Sequence, residues 1–205
     1  MNSQKFPISL GLTGTLGSGK STIANILKNK NFFVVDTDQV AKNLYALPKN
    51  KKKLIDKWGR ECFYENGQLN SKFLAEKVFS NREDLQWLEE LIHPQVENFI
   101  RKYLKRCKSR FIVFEVPLLF ESKLDKKNLF DYIIVVDASV AIRKKRVLEN
   151  RYWTEEAFWK RENMQMNPNE KRKKADFIIE NENDLDKLQK QLDDLITKID
   201  SGGNI

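Results

Sequence analysis

A glycine-rich stretch in this sequence has the residue types and spacing that suit the binding of phosphate groups. Residues 14–21 match the pattern G-x-x-x-x-G-K-[ST] in full. Glycines let the backbone turn its N–H groups inward around an anion, and the helix that follows would add its positive N-terminal end. In this pattern Lys20 reaches the outer phosphates, and the Ser21 hydroxyl is a ligand for Mg²⁺. The predicted nucleotide-binding residues are Gly14, Thr15, Leu16, Gly17, Ser18, Gly19, Lys20, Ser21 and Thr22.

Two carboxylates, Asp36 and Asp38, follow the second apolar run and could act on a hydroxyl group. In an extended segment, residues two positions apart point to the same side. A carboxylate here could take the proton from an acceptor hydroxyl or hold Mg²⁺ through water. The alternative is that Asp38 only caps a helix that begins near Gln39. We favour the functional interpretation because a phosphate-binding loop precedes this segment.

Three arginines, Arg143, Arg146 and Arg151, lie on a charged helical segment at residues 140–166. During phosphoryl transfer the negative charge spreads over the equatorial oxygens, and a mobile arginine neutralises it. A lid over the nucleotide also excludes water, which would otherwise take the phosphoryl group. For any one of these arginines the alternative is a solvated charged face, but we expect some of the group to contact phosphate.

The sequence has one histidine, His93, which cannot by itself form a histidine metal cluster or a proton relay. It either lines a substrate pocket or joins one helix to the next, and no catalytic role is expected. The basic run Lys49–Lys53 lacks interleaved aromatic residues, so a solvated helix start is favoured over a nucleic-acid site.

Five apolar runs rich in β-forming residues predict the strands that position these groups. They lie at 8–12, 32–35, 111–115, 132–137 and 177–180. Such runs are typical of a parallel sheet covered on both faces, with right-handed crossovers between neighbouring strands. Ligands of these sheets lie beyond the carboxyl ends of the strands. The glycine loop, Asp36 and Pro117 all follow strand ends, which favours a single active site.

Between the second and third strands the apolar residues have helical spacing, and Pro94 is predicted to begin one of the helices. We therefore predict an α/β, P-loop nucleoside-kinase-like, three-layer fold with a parallel sheet of about five strands, an inserted helical substrate domain and a helical lid. The predicted parts are a nucleotide-binding core at 1–38, 107–139 and 175–200, the helical domain at 39–106, the lid at 140–174 and a flexible tail at 201–205.

The composition favours a cytoplasmic protein with anionic partners. The chain has 205 residues, of which 40% are hydrophobic, and a formal net charge of +8. This basic balance suits nucleotides or nucleic acid. Cys62 and Cys107 form no C-x-x-C motif, so a disulfide framework is not expected. We expect no membrane partner because no apolar run approaches the roughly 18 residues of a transmembrane helix and the first residues show no signal-peptide pattern.

Several stretches resemble the dephospho-coenzyme A kinase family, whose members carry out the last step of coenzyme A synthesis. Val35–Asp38 is similar to the D-x-D segment of the family. Leu91–Pro94 and Val116–Glu121, which read LIHP and VPLLFE, are the most distinctive stretches. The glycine loop and the stretch at 171–181 also fit, so the resemblance covers nearly the whole chain.

The resemblance implies a kinase that uses ATP with Mg²⁺ to phosphorylate the ribose 3′-hydroxyl of dephospho-CoA. By position, Asp38 would be the base, Lys20 the loop lysine and Arg146 the lid arginine. The resemblance adds Arg143 and Asn181 to the ATP-binding residues. The implied substrate-binding residues are Asp36, Asp38, His93, Pro117, Leu118, Leu119 and Glu121. No nucleic-acid partner is expected, and a monomer is favoured although an oligomer is compatible with the sequence.

The chain departs from the family pattern at three places. Thr15 stands where a second glycine is common. A second lid arginine would fall on Asn150, and Arg151 follows it, so the arginine that meets the nucleotide is left open. Glu115 stands where an aspartate or an apolar residue is common, and no role is assigned to it.

Two other functions use parts of the same pattern. A nucleotide or nucleoside kinase would also need the phosphate loop, the acid pair and the basic lid, but the stretch Pro117–Glu121 argues against it. A basic nucleic-acid-binding module would account for the net charge of +8. A GTPase is disfavoured because the sequence has no N-K-x-D motif for guanine.

Overall fold

The computed structural model describes residues 7–201 of the chain. Beyond Ser201, the predicted flexible tail lies outside the described residues. The strands are β1 (Ile8–Gly14), β2 (Phe33–Asp36), β3 (Phe111–Glu115), β4 (Tyr132–Asp137) and β5 (Phe177–Glu180). The helices are α1 (Lys20–Asn29), α2 (Thr37–Tyr45), α3 (Pro48–Trp58), α4 (Ser71–Ser80), α5 (Arg82–Arg106), α6 (Val140–Arg151), α7 (Glu155–Glu162), α8 (Pro168–Lys173) and α9 (Leu185–Asp200).

The strands form one sheet in the order β2-β3-β1-β4-β5. β1 lies in the middle and pairs in parallel with both β3 and β4, and β4 pairs in parallel with β5. Leu12 of β1 is in register with Glu115, and Asp137 of β4 is in register with Glu180. Every strand except β1 ends on an acidic residue, and the predicted five-stranded parallel sheet is confirmed.

Apolar residues of the sheet pack against the helices that flank it. Leu10 and Leu12 of β1 have no exposed surface and share one core cluster with Ile23 and Leu27 of α1. The amphipathic helix α9 buries Leu192 in the same cluster. Burial of apolar surface on this scale stabilises the sheet by about 25 cal/mol per Å². The glycine loop is thus anchored to the most buried strand of the molecule.

The chain divides into two compact units, one made of residues 1–35 and 107–205 and the other of residues 36–106. The second unit has its own core, in which Leu54, Cys62 and Leu88 are buried. No helix within residues 7–201 is long and apolar enough to cross a membrane.

Helix α5 differs from the prediction because it does not begin at Pro94 but runs through it. Proline lacks an N–H, so the preceding turn loses a backbone donor. The carbonyl left without its helical donor is that of Glu90. In the same turn, Gln95 donates from Nε2 to the Leu91 carbonyl at 2.7 Å. Gln95 also exchanges hydrogen bonds with the buried Asn50 of α3. One helix therefore continues through the proline where the sequence suggested two.

Candidate active site

The glycine loop leaves the end of β1 and enters α1, as the motif predicted. Gly17 and Gly19 have φ angles of 76° and 87°, a region that favours glycine. Because Gly19 occupies the N-cap position of α1, no side chain caps the first N–H groups of the helix. Those groups are the ones that a phosphate would accept from. The Lys20 ammonium donates to the carbonyl oxygens of Gly14 at 3.3 Å and of Thr15 at 3.0 Å, so it bridges its own loop.

Ser21 and Glu115 provide the oxygen atoms that suit Mg²⁺. The Ser21 hydroxyl donates to Oε1 of Glu115 at 3.3 Å. Within the described residues no group of three or more His, Cys, Asp or Glu side chains could hold a metal ion. Where Mg²⁺ binds together with substrate phosphates, one or two protein oxygens usually suffice. The pair therefore fits the ion, although Glu115 had no assigned role in the sequence.

A carboxylate at the end of β4 fixes the first half of the loop. Asp137 accepts from the Thr15 hydroxyl at 3.0 Å through Oδ1 and from Arg172 at 3.1 Å through Oδ2. Arg172 also donates to Glu180 at 3.2 Å, and the two carboxylates raise the pKa of its guanidinium. Thr15 is buried, and its hydrogen bond to Asp137 explains how a residue with a side chain is accommodated where the family often has glycine.

Arg146 and Asn181 lie against the second half of the loop. The Arg146 guanidinium donates to the Ser18 carbonyl at 3.3 Å and to the Asn181 carbonyl at 2.8 Å. The Asn181 amide in turn donates to the Ser18 carbonyl at 2.8 Å. Burial lowers the pKa of Arg146, but a guanidinium stays charged at neutral pH. Both residues line a cavity of about 510 Å³ next to the loop, together with Asn150 and Arg151.

Arg143, which was predicted to bind ATP, lies behind the loop rather than in this cavity. It is 1% exposed and donates to the carbonyls of Leu16 and Ala138 at 3.1 and 3.0 Å. It also forms a bidentate ion pair with Glu162, with N–O distances of 2.7 and 2.9 Å. Its donors are thus directed at the protein, and the geometry favours support of the loop over direct contact with ATP.

The predicted substrate-binding stretch Pro117–Glu121 is attached to β1. The hydroxyl of Thr13 donates to the Pro117 carbonyl at 3.2 Å. Leu118 is 42% exposed and suits a ligand contact, whereas Leu119 is fully buried. Glu121 accepts from Lys171 at 2.9 Å and from the Met166 N–H at 2.8 Å. For Leu119 and Glu121 the geometry therefore favours packing and positioning of the stretch.

The other predicted acceptor-site residues belong to the second unit. Asp36 ends β2 and caps α2, because its Oδ1 accepts from the backbone N–H of Asp38 at 2.9 Å. The helix begins at Thr37, so the assumption of an extended D-x-D segment was wrong, and so was the alternative that Asp38 is the cap. Asp38 instead lies exposed in the first turn of the helix.

Two further groups of the second unit have shifted pKa values. Burial and the nearby carboxylates of Asp38 and Glu89 raise the pKa of Tyr45. His93 is half-buried in α5, and burial lowers its pKa. Tyr45 and Glu89 had no assigned role in the sequence, since Glu89 comes near the phenol only through the packing of α2 against α5. The neutral form of His93 is therefore favoured in the folded chain.

Known proteins match this chain over nearly its whole length. A family model described as dephospho-CoA kinase matches residues 8–187. The dephospho-CoA kinase of Fusobacterium nucleatum subsp. nucleatum is 36% identical over 184 residues, which are 90% of this chain and 94% of that protein.

Solved structures agree with this match. The crystal structure of TT1252 from Thermus thermophilus has a TM-score of 0.79 and 32% identity, and covers 94% of this chain and 97% of its own. The dephospho-CoA kinase from Campylobacter jejuni has a TM-score of 0.68 and 28% identity, and the match covers 96% of this chain and 99% of that one. With the phosphate loop and the flanking lysine, arginine and carboxylates in place, the chain belongs to the dephospho-CoA kinase family.

Proposed function

We propose that this chain transfers the γ-phosphoryl group of ATP to the ribose 3′-hydroxyl of dephospho-CoA, which gives ADP and coenzyme A. The observation that carries the proposal is the family match over residues 8–187. The phosphate loop, with Lys20 held across its carbonyls, supports the same reaction. Transfer of a phosphoryl group depends mainly on positioning and electrostatic stabilisation, and both are built into this loop.

The nucleotide would be held by the loop and by the cavity beside it. The N-terminal N–H groups of α1 and the Lys20 ammonium would bind the β- and γ-phosphates. Arg146 would leave the Ser18 carbonyl and meet the transferred charge, since it already lies at the cavity wall. The cavity, which Asn181 also lines, would receive the rest of ATP.

Ser21 and Glu115 would hold Mg²⁺, directly or through water, with Asp36 or Asp38 as a further partner through water. When bound, the ion offsets the negative charge of the phosphates. On the acceptor side, Asp38 would take the proton of the 3′-hydroxyl as that oxygen attacks. His93, Pro117 and Leu118 would contact dephospho-CoA. The proposed setting is a monomer in the cytoplasm without nucleic-acid partners.

A coupled assay of ADP release tests the proposal directly. The purified chain is given Mg·ATP with either dephospho-CoA or a panel of nucleoside monophosphates. We expect turnover with dephospho-CoA, formation of coenzyme A by mass spectrometry and little ADP release with the panel. Turnover with nucleoside monophosphates alone would replace this function with that of a nucleotide kinase.

A further inference from the structure

Helix α8 is attached to the phosphate loop through one carboxylate. Arg172 donates from Nη1 to Oδ2 of Asp137 at 3.1 Å, and Oδ1 of the same carboxylate accepts from the Thr15 hydroxyl at 3.0 Å. Asp137 is 9% exposed, so little water competes for these bonds. A displacement of Arg172 is therefore transmitted to the loop through a single buried group.

The residue before Arg172 attaches α8 to a second functional stretch, Pro117–Glu121, which we call the acceptor loop. Lys171 is fully buried and donates to Oε1 of Glu121 at 2.9 Å. The same oxygen accepts from the N–H of Met166, which lies just before α8. Lys174, the residue after α8, pairs with Asp125 at 3.3 Å, shortly after the acceptor loop in the chain.

We propose that α8 couples the nucleotide site to the acceptor site, with Lys171 and Arg172 as positioning residues. Their neighbouring side chains hold the acceptor loop and the phosphate loop to one short helix, so ordering of one loop by its ligand also orders the other. Binding of Mg·ATP and of dephospho-CoA is then mutually favourable. The identity of the second ligand rests on the proposed function.

Calorimetry on the full chain measures this coupling. The dissociation constant of a non-hydrolysable ATP analogue with Mg²⁺ is determined with and without saturating dephospho-CoA, and the reverse titration follows. In the wild type both affinities should increase by the same factor, at least about fivefold, since coupling is reciprocal. In Arg172→Met the factor should fall to about one. Arg172→Lys should keep part of it, because lysine can retain one of the two carboxylate contacts.

A control in the same helix is Lys173→Met, because Lys173 is exposed and pairs only with Glu170 among the contacts described for it. This variant should keep the wild-type factor. Removal of the buried Lys171 alone would leave Glu121 without its cation and destabilise the fold. The contribution of Lys171 is therefore tested with the double variant Lys171→Met/Glu121→Met. It too should lose the coupling while it keeps a cooperative unfolding transition.

A wild-type chain that turns over dephospho-CoA without any coupling overturns this proposal but leaves the proposed function intact. The proposal is also overturned if Arg172→Met shows the same coupling factor between the two ligands as the wild type. A chain that binds no dephospho-CoA overturns both.

Discussion

The Ser21 hydroxyl donates to Oε1 of Glu115 across 3.3 Å, which joins the start of α1 to the end of β3. If this pair holds Mg²⁺, Glu115→Gln should raise the Mg²⁺ concentration needed for half-maximal activity by roughly ten- to a hundredfold. The measurement is an Mg²⁺ titration of turnover at saturating substrates. Glu149→Gln, on an exposed part of α6, is the control. An unchanged Mg²⁺ requirement in Glu115→Gln would remove Glu115 from the metal site.

Asp36 and Asp38 should respond differently to substitution, because only Asp36 caps α2. Asp38→Asn should lower turnover about 10²- to 10⁴-fold, the usual value of a general base, with little change in nucleotide binding. Asp36→Ala should instead lower the free energy of unfolding by about 0.5–2 kcal/mol, while Asp36→Asn keeps the cap. Steady-state kinetics and urea unfolding separate the two effects. Near-normal turnover of Asp38→Asn would rule out Asp38 as the base.

Substitution of Arg143 should mainly lower stability, whereas substitution of Arg146 should mainly lower turnover. Arg143→Ala leaves Glu162 without its partner, and breaking such a buried pair lowers the free energy of unfolding by about 3–5 kcal/mol. Arg146→Ala should lower turnover at least about a hundredfold, as loss of a transition-state donor does, and should change stability much less. Thermal unfolding and kinetics on both variants test the contrast. A stable but inactive Arg143→Ala would support the prediction that Arg143 binds ATP.

Gly17 should not tolerate alanine. Its φ is 76°, and an added Cβ would lie 2.6 Å from the backbone carbonyl oxygen of Arg143. Gly67 is the matched control, because its φ is 80° but the nearest atom to a Cβ, Lys51 Nζ, is 3.6 Å away. Gly67→Ala should cost about 1–2 kcal/mol for the backbone conformation alone. Gly17→Ala should cost more and weaken ATP binding, as measured by unfolding and by calorimetry. Equal effects of the two would contradict a tight approach at Gly17.

His93 should make the folded chain less stable in mild acid. Burial holds its pKa below the ordinary value of 6.5, so the unfolded chain binds the proton more readily. Stability is therefore lost as the pH falls through about 6.5 toward the folded-state value. His93→Gln removes the group that takes up the proton, so the urea midpoint of this variant should fall less than that of the wild type between pH 7.5 and 5.5. Parallel losses in both chains would show that His93 does not contribute.

Local patterns in the sequence were sufficient for much of the fold. The glycine loop is encoded in eight consecutive residues, and the strands are short apolar runs whose parallel pairing follows from their alternation with helices. The family resemblance could be recognised for the same reason, since LIHP and VPLLFE are contiguous stretches. Features that depend on neighbours along the chain were therefore predictable.

Features that depend on distant residues were not. Asp137 meets Thr15 across 122 positions, and Arg143 meets Leu16 across 127, so no spacing rule connects them. Pro94 suggested a helix start, whereas the hydrogen bonds between Gln95 and Asn50, which are 45 positions apart, form only in the folded chain. Glu115 stood out in the sequence but received no role, because its partner Ser21 is known only once β3 lies beside β1.

The position of β1 has a further consequence. This strand is hydrogen-bonded on both sides, and Leu10 and Leu12 are fully buried, so we expect its amide protons to be among the slowest to exchange with solvent. Because the phosphate loop begins where this strand ends, the nucleotide site should persist on heating until the first unit itself unfolds. Loss of ATP binding would then report the melting of that unit, whatever happens to the second.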